Sequence, residues 1–185
     1  MHLSDFRIAE LDLPENAKEI KVKSITSDSR NSSEDCMFIA IKGNNQDGHN
    51  FIDEAISAGA SNVLVDYKYK NDTKIPVSKA KNVRRALALI SAIYYNDQPN
   101  TIAAVTGTNG KTTVATILFD LFNKSGIKSG LISTINIKYA GVKIENCHTT
   151  PDSKKINEIL HKMLKNEIEF CFMEAVSYTH LTLPT

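Results

Sequence analysis

Thr101-Ile102-Ala103-Ala104-Val105-Thr106-Gly107-Thr108-Asn109-Gly110-Lys111-Thr112-Thr113 decides the fold of this chain. The stretch from Thr101 to Val105 is almost wholly apolar and short, which reads as a buried β-strand. A glycine-containing turn follows. From Lys111 to about Lys124 apolar residues recur at helical spacing, until Ser125-Gly126 stops the helix. Strand, glycine loop and helix in that order open a parallel α/β unit. The same stretch has the chemistry of a phosphate site. Gly107 and Gly110 let backbone N–H groups point inward, and the helix N-terminus adds a partial positive charge. Lys111 is placed to reach outer phosphates, and the Thr112 hydroxyl is placed to ligate Mg²⁺. The common pattern G-x-x-x-x-G-K-[ST] is met only in part, because Val105 stands at its first glycine. The plain alternative is a tight turn that happens to contain Gly and Lys. The strand before it and the helix after it favour phosphate binding.

Working outward, residues 127–132 read as a strand. Residues 135–139 and 142–145 flank Ala140-Gly141 as a hairpin. A helix is expected over residues 151–165, and a last apolar strand over 168–173 that ends at Glu174. Upstream, Asn96-Asp97-Gln98-Pro99-Asn100 is a polar joint between two hydrophobic patterns. Before the joint, strands are expected at 20–25, 37–41 and 63–65, with a weak edge strand at 75–77. One helix is expected to be capped by Asn50 and closed by Gly59, and a second to run from the Asn82 cap to Tyr95. The fold class is therefore α/β. A small α/β domain covers residues 1–98, and the first half of a P-loop domain with a mainly parallel sheet covers 99–175.

The totals bound the partners. The chain has 185 residues, 42% of them hydrophobic, enough for a globular core. Lys plus Arg is 22 against 21 Asp plus Glu, so no basic field is available to hold nucleic acid by bulk charge. An anionic ligand must be bound locally, by loops and helix ends. Cys36, Cys147 and Cys171 lack the spacing of a disulfide framework or a zinc site and read as reduced thiols. The residues after Met1 do not resemble a signal peptide, and no apolar run spans a membrane. The expected location is the cytoplasm, with no membrane partner.

Thr106-Gly107-Thr108-Asn109-Gly110-Lys111-Thr112 resembles the TGTNGKT loop of the Mur ligases and the related folylpolyglutamate synthetases. Other segments point within that superfamily. Ser27-Asp28-Ser29-Arg30, then Met37-Phe38-Ile39-Ala40-Ile41-Lys42-Gly43 and Asp47-Gly48, resemble the UDP-binding region of MurE-type enzymes. Thr149-Thr150-Pro151-Asp152-Ser153 resembles their TTP-[DE]-S stretch, and Phe172-Met173-Glu174-Ala175 the start of their M-E-[AV]-S-S-H motif. The matches stand in family order between about residues 20 and 175.

The resemblance implies an ATP-dependent ligase of peptidoglycan synthesis. ATP would phosphorylate a carboxylate of UDP-N-acetylmuramoyl-L-alanyl-D-glutamate, and the amine of meso-diaminopimelate or L-lysine would attack the acyl phosphate. It implies ATP contacts from Gly107, Thr108, Asn109, Gly110, Lys111, Thr112 and Thr113. It implies catalytic roles for Lys111 and Glu174, with Mg²⁺ held between Thr112 and Glu174. It implies contacts to the UDP-sugar dipeptide from Ser27, Ser29, Asn45, Thr149 and Thr150.

Plainer readings stand beside these. Ser27 to Arg30 is also ordinary turn chemistry. Thr150 and Pro151 also suit a helix N-cap and first helical position. Glu174 also suits a strand-end carboxylate paired with a basic neighbour. After Ala175 the family continues Ser-Ser-His, whereas this chain reads Val176-Ser177-Tyr178-Thr179-His180 and on to Thr185. Residues 176–185 are expected to be a tail foreign to the family. The rest of the central domain and the amino-acid-binding domain are then missing, and the chain alone is expected not to complete the ligation. Rival readings are a MurF-type ligase, a folylpolyglutamate synthetase, or a non-catalytic nucleotide-binding module.

Overall fold

The computed structural model describes residues 1–43, 46–70, 72–145 and 152–175. The chain divides between Tyr94 and Tyr95 into two compact units.

The first unit contains β1 (Leu11–Asp12), β2 (Ser24–Thr26), β3 (Cys36–Ile39), α1 (Ile52–Ser57), β4 (Ala60–Asp66), β5 (Val77–Ala80) and α2 (Val83–Tyr95). Its sheet has the order β1-β5-β4-β3-β2. Neighbours from β2 to β5 run parallel, and β1 closes the edge antiparallel to β5. A parallel sheet is covered on both faces, so its strands need apolar residues at successive positions. Every residue of β3 is buried. Met37 and Ile39 point into one core with Leu3, Phe6, Ile25, Leu64 and Ile90. Phe38 and Ala40 point into the other, with Ile52, Ala55, Val63 and Val65.

Several local expectations are corrected. The edge strand expected at 75–77 is β5, two residues later and inside the sheet, because β1 covers its outer side. Pro76 ends just before it, and its carbonyl accepts from the Val63 N–H and the buried Asn62 amide. The strand expected at 20–25 pairs only from Ser24 to Thr26, with Lys21 in a separate bridge to His2. Asn50 is not a cap. Asp47 caps a 3₁₀ turn, Gly48–Phe51, that leads into α1, its carboxylate accepting the His49 N–H at 3.0 Å. Gly59 follows α1 at φ +103°, with the Glu34 backbone 3.0 Å from where a Cβ would sit, so both conformation and space require glycine.

The second unit contains β6 (Thr101–Val105), α3 (Lys111–Lys124), β7 (Ser129–Ile132), β8 (Asn136–Tyr139), β9 (Val142–Glu145), α4 (Ser153–Lys165) and β10 (Phe170–Glu174). The sheet order is β6-β10-β7-β8-β9. β10, last in the chain, lies parallel between β6 and β7, while β8 and β9 extend the sheet as an antiparallel hairpin. Ala140 and Gly141 both take positive φ, as the tight hairpin turn demands. β6 was expected to be buried; among the described residues it is an edge strand, with Thr101 and Ala104 exposed. α3 packs Ala115, Phe119 and Phe122 against Leu131 and Phe172. α4 covers the opposite face through Ile156, Ile159, Leu160 and Met163. Its N-cap is Asp152, whose carboxylate accepts the Lys155 N–H at 2.7 Å; the Thr150 cap expected from the sequence lies outside the described residues.

Candidate functional site

The loop from Thr106 to Gly110 joins the C-terminal end of β6 to the start of α3. Gly110 sits at the N-cap of α3 with φ +80°, and Gly107 has φ +148°. A Cβ on Gly110 would meet nothing within 4 Å, so the demand there is conformational rather than steric. The Gly110 carbonyl accepts the first helical hydrogen bond, from the Val114 N–H at 2.9 Å. The N–H groups of the turn before it lie at the exposed loop end, where helix geometry leaves donors without partners. The Lys111 ammonium folds back over the loop. Its Nζ donates to the Gly107 carbonyl at 2.8 Å and approaches the Thr108 carbonyl at 3.5 Å.

Strand register delivers the acid. Glu174 pairs with Val105, the last residue before the loop. Its side chain is buried, and the Thr112 hydroxyl donates to Oε2 at 2.8 Å. The same oxygen accepts from the Thr134 N–H at 3.1 Å and the Thr134 hydroxyl at 3.0 Å. Burial works to raise the carboxyl's pKa. The donors on Thr134 and Thr112, with the Lys111 charge, outweigh it and hold the group below its ordinary 4.5. Glu174 is thus a carboxylate at neutral pH.

Thr134 was not anticipated from the sequence. It lies just beyond β7, and Ile132 of β7 pairs with Met173 of β10, so residues past these two strand ends converge. The available signal was a Ser133-Thr134 pair directly after an apolar strand. Thr112, Thr134 and Glu174 offer oxygen only, which suits a hard cation such as Mg²⁺. Among the described residues no group of three or more His, Cys, Asp or Glu could hold a metal by itself. Cys171 is remote from such chemistry, because burial pushes its thiol up to about 12.

In the first unit, Ser27 and Ser29 lie on the loop after β2. Asp28 organises it: its carboxylate accepts from the Arg30 N–H at 3.1 Å, from Nε at 2.9 Å and from Nη2 at 2.7 Å. Ser29 is buried, and its hydroxyl donates to Glu54 Oε2 on α1 at 2.8 Å. Further along, His49 Nδ1 lies 2.6 Å from Asp47 Oδ1, its ring stacks on Tyr69 at 5.3 Å, and its Nε2 lies 3.7 Å from Asp66 Oδ2. Asn45, Thr149 and Thr150 lie outside the described residues, as do Cys147, His148 and residues 176–185.

Comparison with known proteins follows the same division. Residues 21–108 match the Mur ligase family catalytic domain, and residues 105–182 match the Mur ligase middle domain. This chain belongs to the Mur ligase family. The two matches meet at the phosphate loop. This Mur ligase chain is 35% identical over 164 residues to the UDP-N-acetylmuramoyl-L-alanyl-D-glutamate--2,6-diaminopimelate ligase of Clostridium perfringens, covering 88% of the chain and 34% of that protein. To the protein of the same name from Phocaeicola vulgatus it is 37% identical over 165 residues, 86% of the chain and 34% of the relative. It thus spans about a third of the length of the curated relatives it matches. A solved structure of a ligase of that name superposes at a TM-score of 0.79 with 22% identity, over 96% of this chain and 36% of that one. MurF from Thermotoga maritima, solved in complex with ADP, superposes at 0.55 with 24% identity, over 82% and 31%. These two likenesses concern the fold.

One pH effect belongs to the first unit of this Mur ligase chain. Asp47 is held below its ordinary 3.8, first by the His49 ring and then by the His49 N–H. A depressed folded-state pKa contributes stability that is present above the unfolded value and lost as pH falls through the folded one. Asp47→Ala is therefore expected to lower the urea midpoint at neutral pH, and the difference from wild type should shrink below about pH 4. Urea melts at neutral pH and at about pH 3 check this.

Proposed function

We propose that this chain supplies the UDP-sugar-binding part and the start of the ATP-binding part of a ligase. The enzyme adds a diamino acid to UDP-N-acetylmuramoyl-L-alanyl-D-glutamate. The observation that carries the reading is the Thr112–Glu174 hydrogen bond at the mouth of a glycine loop. A hydroxyl and a carboxylate brought together beside the loop that carries Lys111 support binding of a nucleoside triphosphate and its cation there. The names of the relatives favour diaminopimelate over lysine as the incoming amino acid, and favour this reaction over those of MurF or folylpolyglutamate synthetase.

The chemistry balances as two displacements. A carboxylate oxygen of the D-glutamyl residue bonds to the γ-phosphorus as the β,γ-bridging bond breaks, and ADP leaves. The amine then bonds to the acyl carbon and gives up a proton, and phosphate leaves with the carboxylate oxygen. Most of the catalysis of the first step is positioning and charge neutralisation. Gly107, Thr108, Asn109, Gly110 and Thr113 cradle the phosphates. Lys111 neutralises charge on the transferring group. Thr112 and Glu174 would hold Mg²⁺, which would supply further charge neutralisation, and Thr134 holds the Glu174 oxygen in place. Ser27, Ser29 and Asn45 contact the UDP moiety, and Thr149 and Thr150 the dipeptide. A cytoplasmic location is part of this proposal.

Titration with UDP-MurNAc-L-Ala-D-Glu and, separately, with a pteroylglutamate tests the assignment. Saturable binding of the UDP-sugar alone is expected. Binding of the pteroylglutamate alone would transfer the chain to the folate branch.

A further inference from the structure

The Ser29 hydroxyl has one proton, and the structure shows where it goes. It is donated to Glu54 Oε2 at 2.8 Å, across to the first turn of α1. A carboxylate is the stronger acceptor, so this bond fixes the rotor. Arg30 does not take Glu54 away, because its guanidinium is engaged in two bonds to Asp28. What remains on Ser29 is lone pairs. With the proton so committed, Ser29 can accept a hydrogen bond from a ligand and cannot donate one.

We infer that Glu54 is a positioning residue for nucleotide recognition: by holding the Ser29 proton, it makes Ser29 an acceptor that selects a pyrimidine presenting a ring N–H. This rests on the proposed role of Ser29 in binding the UDP moiety and names which part of that ligand it meets. Diphosphate oxygens are acceptors and carry negative charge, so Ser29 has nothing to donate to them and Glu54 repels them. Uracil offers an N–H at ring position N3. Cytosine offers a lone pair at the same position, which would face the lone pairs of Ser29. A mismatch of that kind leaves both groups unpaired, and such mismatches are the strong discriminators in recognition.

The discriminating readout is a ratio of affinities. Wild-type chain, Glu54→Ala and Ser29→Ala are titrated calorimetrically with UDP and with CDP. Wild type is expected to favour UDP. In Glu54→Ala the freed hydroxyl can rotate and donate to cytosine N3, so the UDP:CDP ratio should fall about tenfold, the worth of one hydrogen bond to a fixed partner. Ser29→Ala should lose the preference to a similar extent, and Glu54→Ala added to it should change the ratio no further. A purely structural role for Glu54 would weaken both ligands alike. An unchanged ratio in Glu54→Ala, with UDP bound by wild type, would overturn the inference and leave the UDP reading standing. No UDP binding by folded wild type would remove that reading and the inference together.

Discussion

Lys111→Ala is expected to weaken Mg·ATP binding by about ten- to a hundred-fold and to leave the affinity for UDP-MurNAc-L-Ala-D-Glu unchanged. The Lys111 ammonium now rests on the Gly107 and Thr108 carbonyls, poised over the loop that phosphates would enter. On binding it exchanges carbonyl oxygens for charged phosphate oxygens. A hydrogen bond to a charged group contributes about 1.5–3 kcal/mol, which is the factor stated. The loop should keep its shape, because its conformation is set by Gly107 and Gly110 rather than by the lysine. Lys111→Arg is expected to restore little: a planar fork does not fit where a compact point charge sits between two carbonyls. Calorimetric ATP titration of both variants checks this, and unchanged affinity in Lys111→Ala would remove the loop from the ATP site.

Glu174→Ala should do two separable things. It removes the acceptor shared by the Thr112 hydroxyl and both donors of Thr134, which costs about 1–3 kcal/mol of stability as partly buried donors lose their partner. It also removes the carboxylate that would meet the cation, so the dependence of ATP affinity on Mg²⁺ should disappear. Glu174→Gln separates the effects. An amide oxygen still accepts from Thr112 and Thr134, so much of the stability should return, while the Mg²⁺ dependence should not. Urea melts and ATP titrations with and without Mg²⁺ read each effect. Because the wild-type carboxyl titrates below 4.5, its Mg²⁺ dependence should hold steady from neutral pH down to about pH 5.5. Glu174→Gln that retains full Mg²⁺ dependence would show that the carboxylate is only a strut for Thr112.

The strand–loop–helix geometry around Lys111 was legible in sequence because its parts are local. The strand, the two glycines, the lysine and the helix that follows occupy one continuous stretch, and α3 runs from Lys111 to Lys124 as its apolar spacing indicates. Glu174 was legible as an acid ending an apolar strand of the second unit, and the register of β10 against β6 puts it beside the loop. Thr134 was not legible, because its approach to Glu174 depends on β10 entering between β6 and β7. That pairing is set by long-range packing of α3 and α4 on opposite faces, which no local spacing records. The exposure of β6 escaped for the same reason: apolar composition marks a strand and says nothing of its place in the sheet. β1 was missed because it is only Leu11 and Asp12, too short for any periodicity. One cap was misplaced by three residues. Asp47 takes the place expected for Asn50 because a carboxylate accepts backbone N–H bonds more strongly than a neutral amide does. The proposed UDP contacts rest on resemblance, since Ser27 to Arg30 is also a well-formed Asp-centred turn.

The most direct test is one calorimetric experiment on the purified chain: titration with UDP-MurNAc-L-Ala-D-Glu, then with Mg·ATP, repeated on Lys111→Ala. Two saturable isotherms are expected in wild type, with only the second weakened by the substitution. A sample shown by circular dichroism to be folded that binds neither ligand, or that loses both in Lys111→Ala, would contradict the assignment of two separate nucleotide sites to this chain.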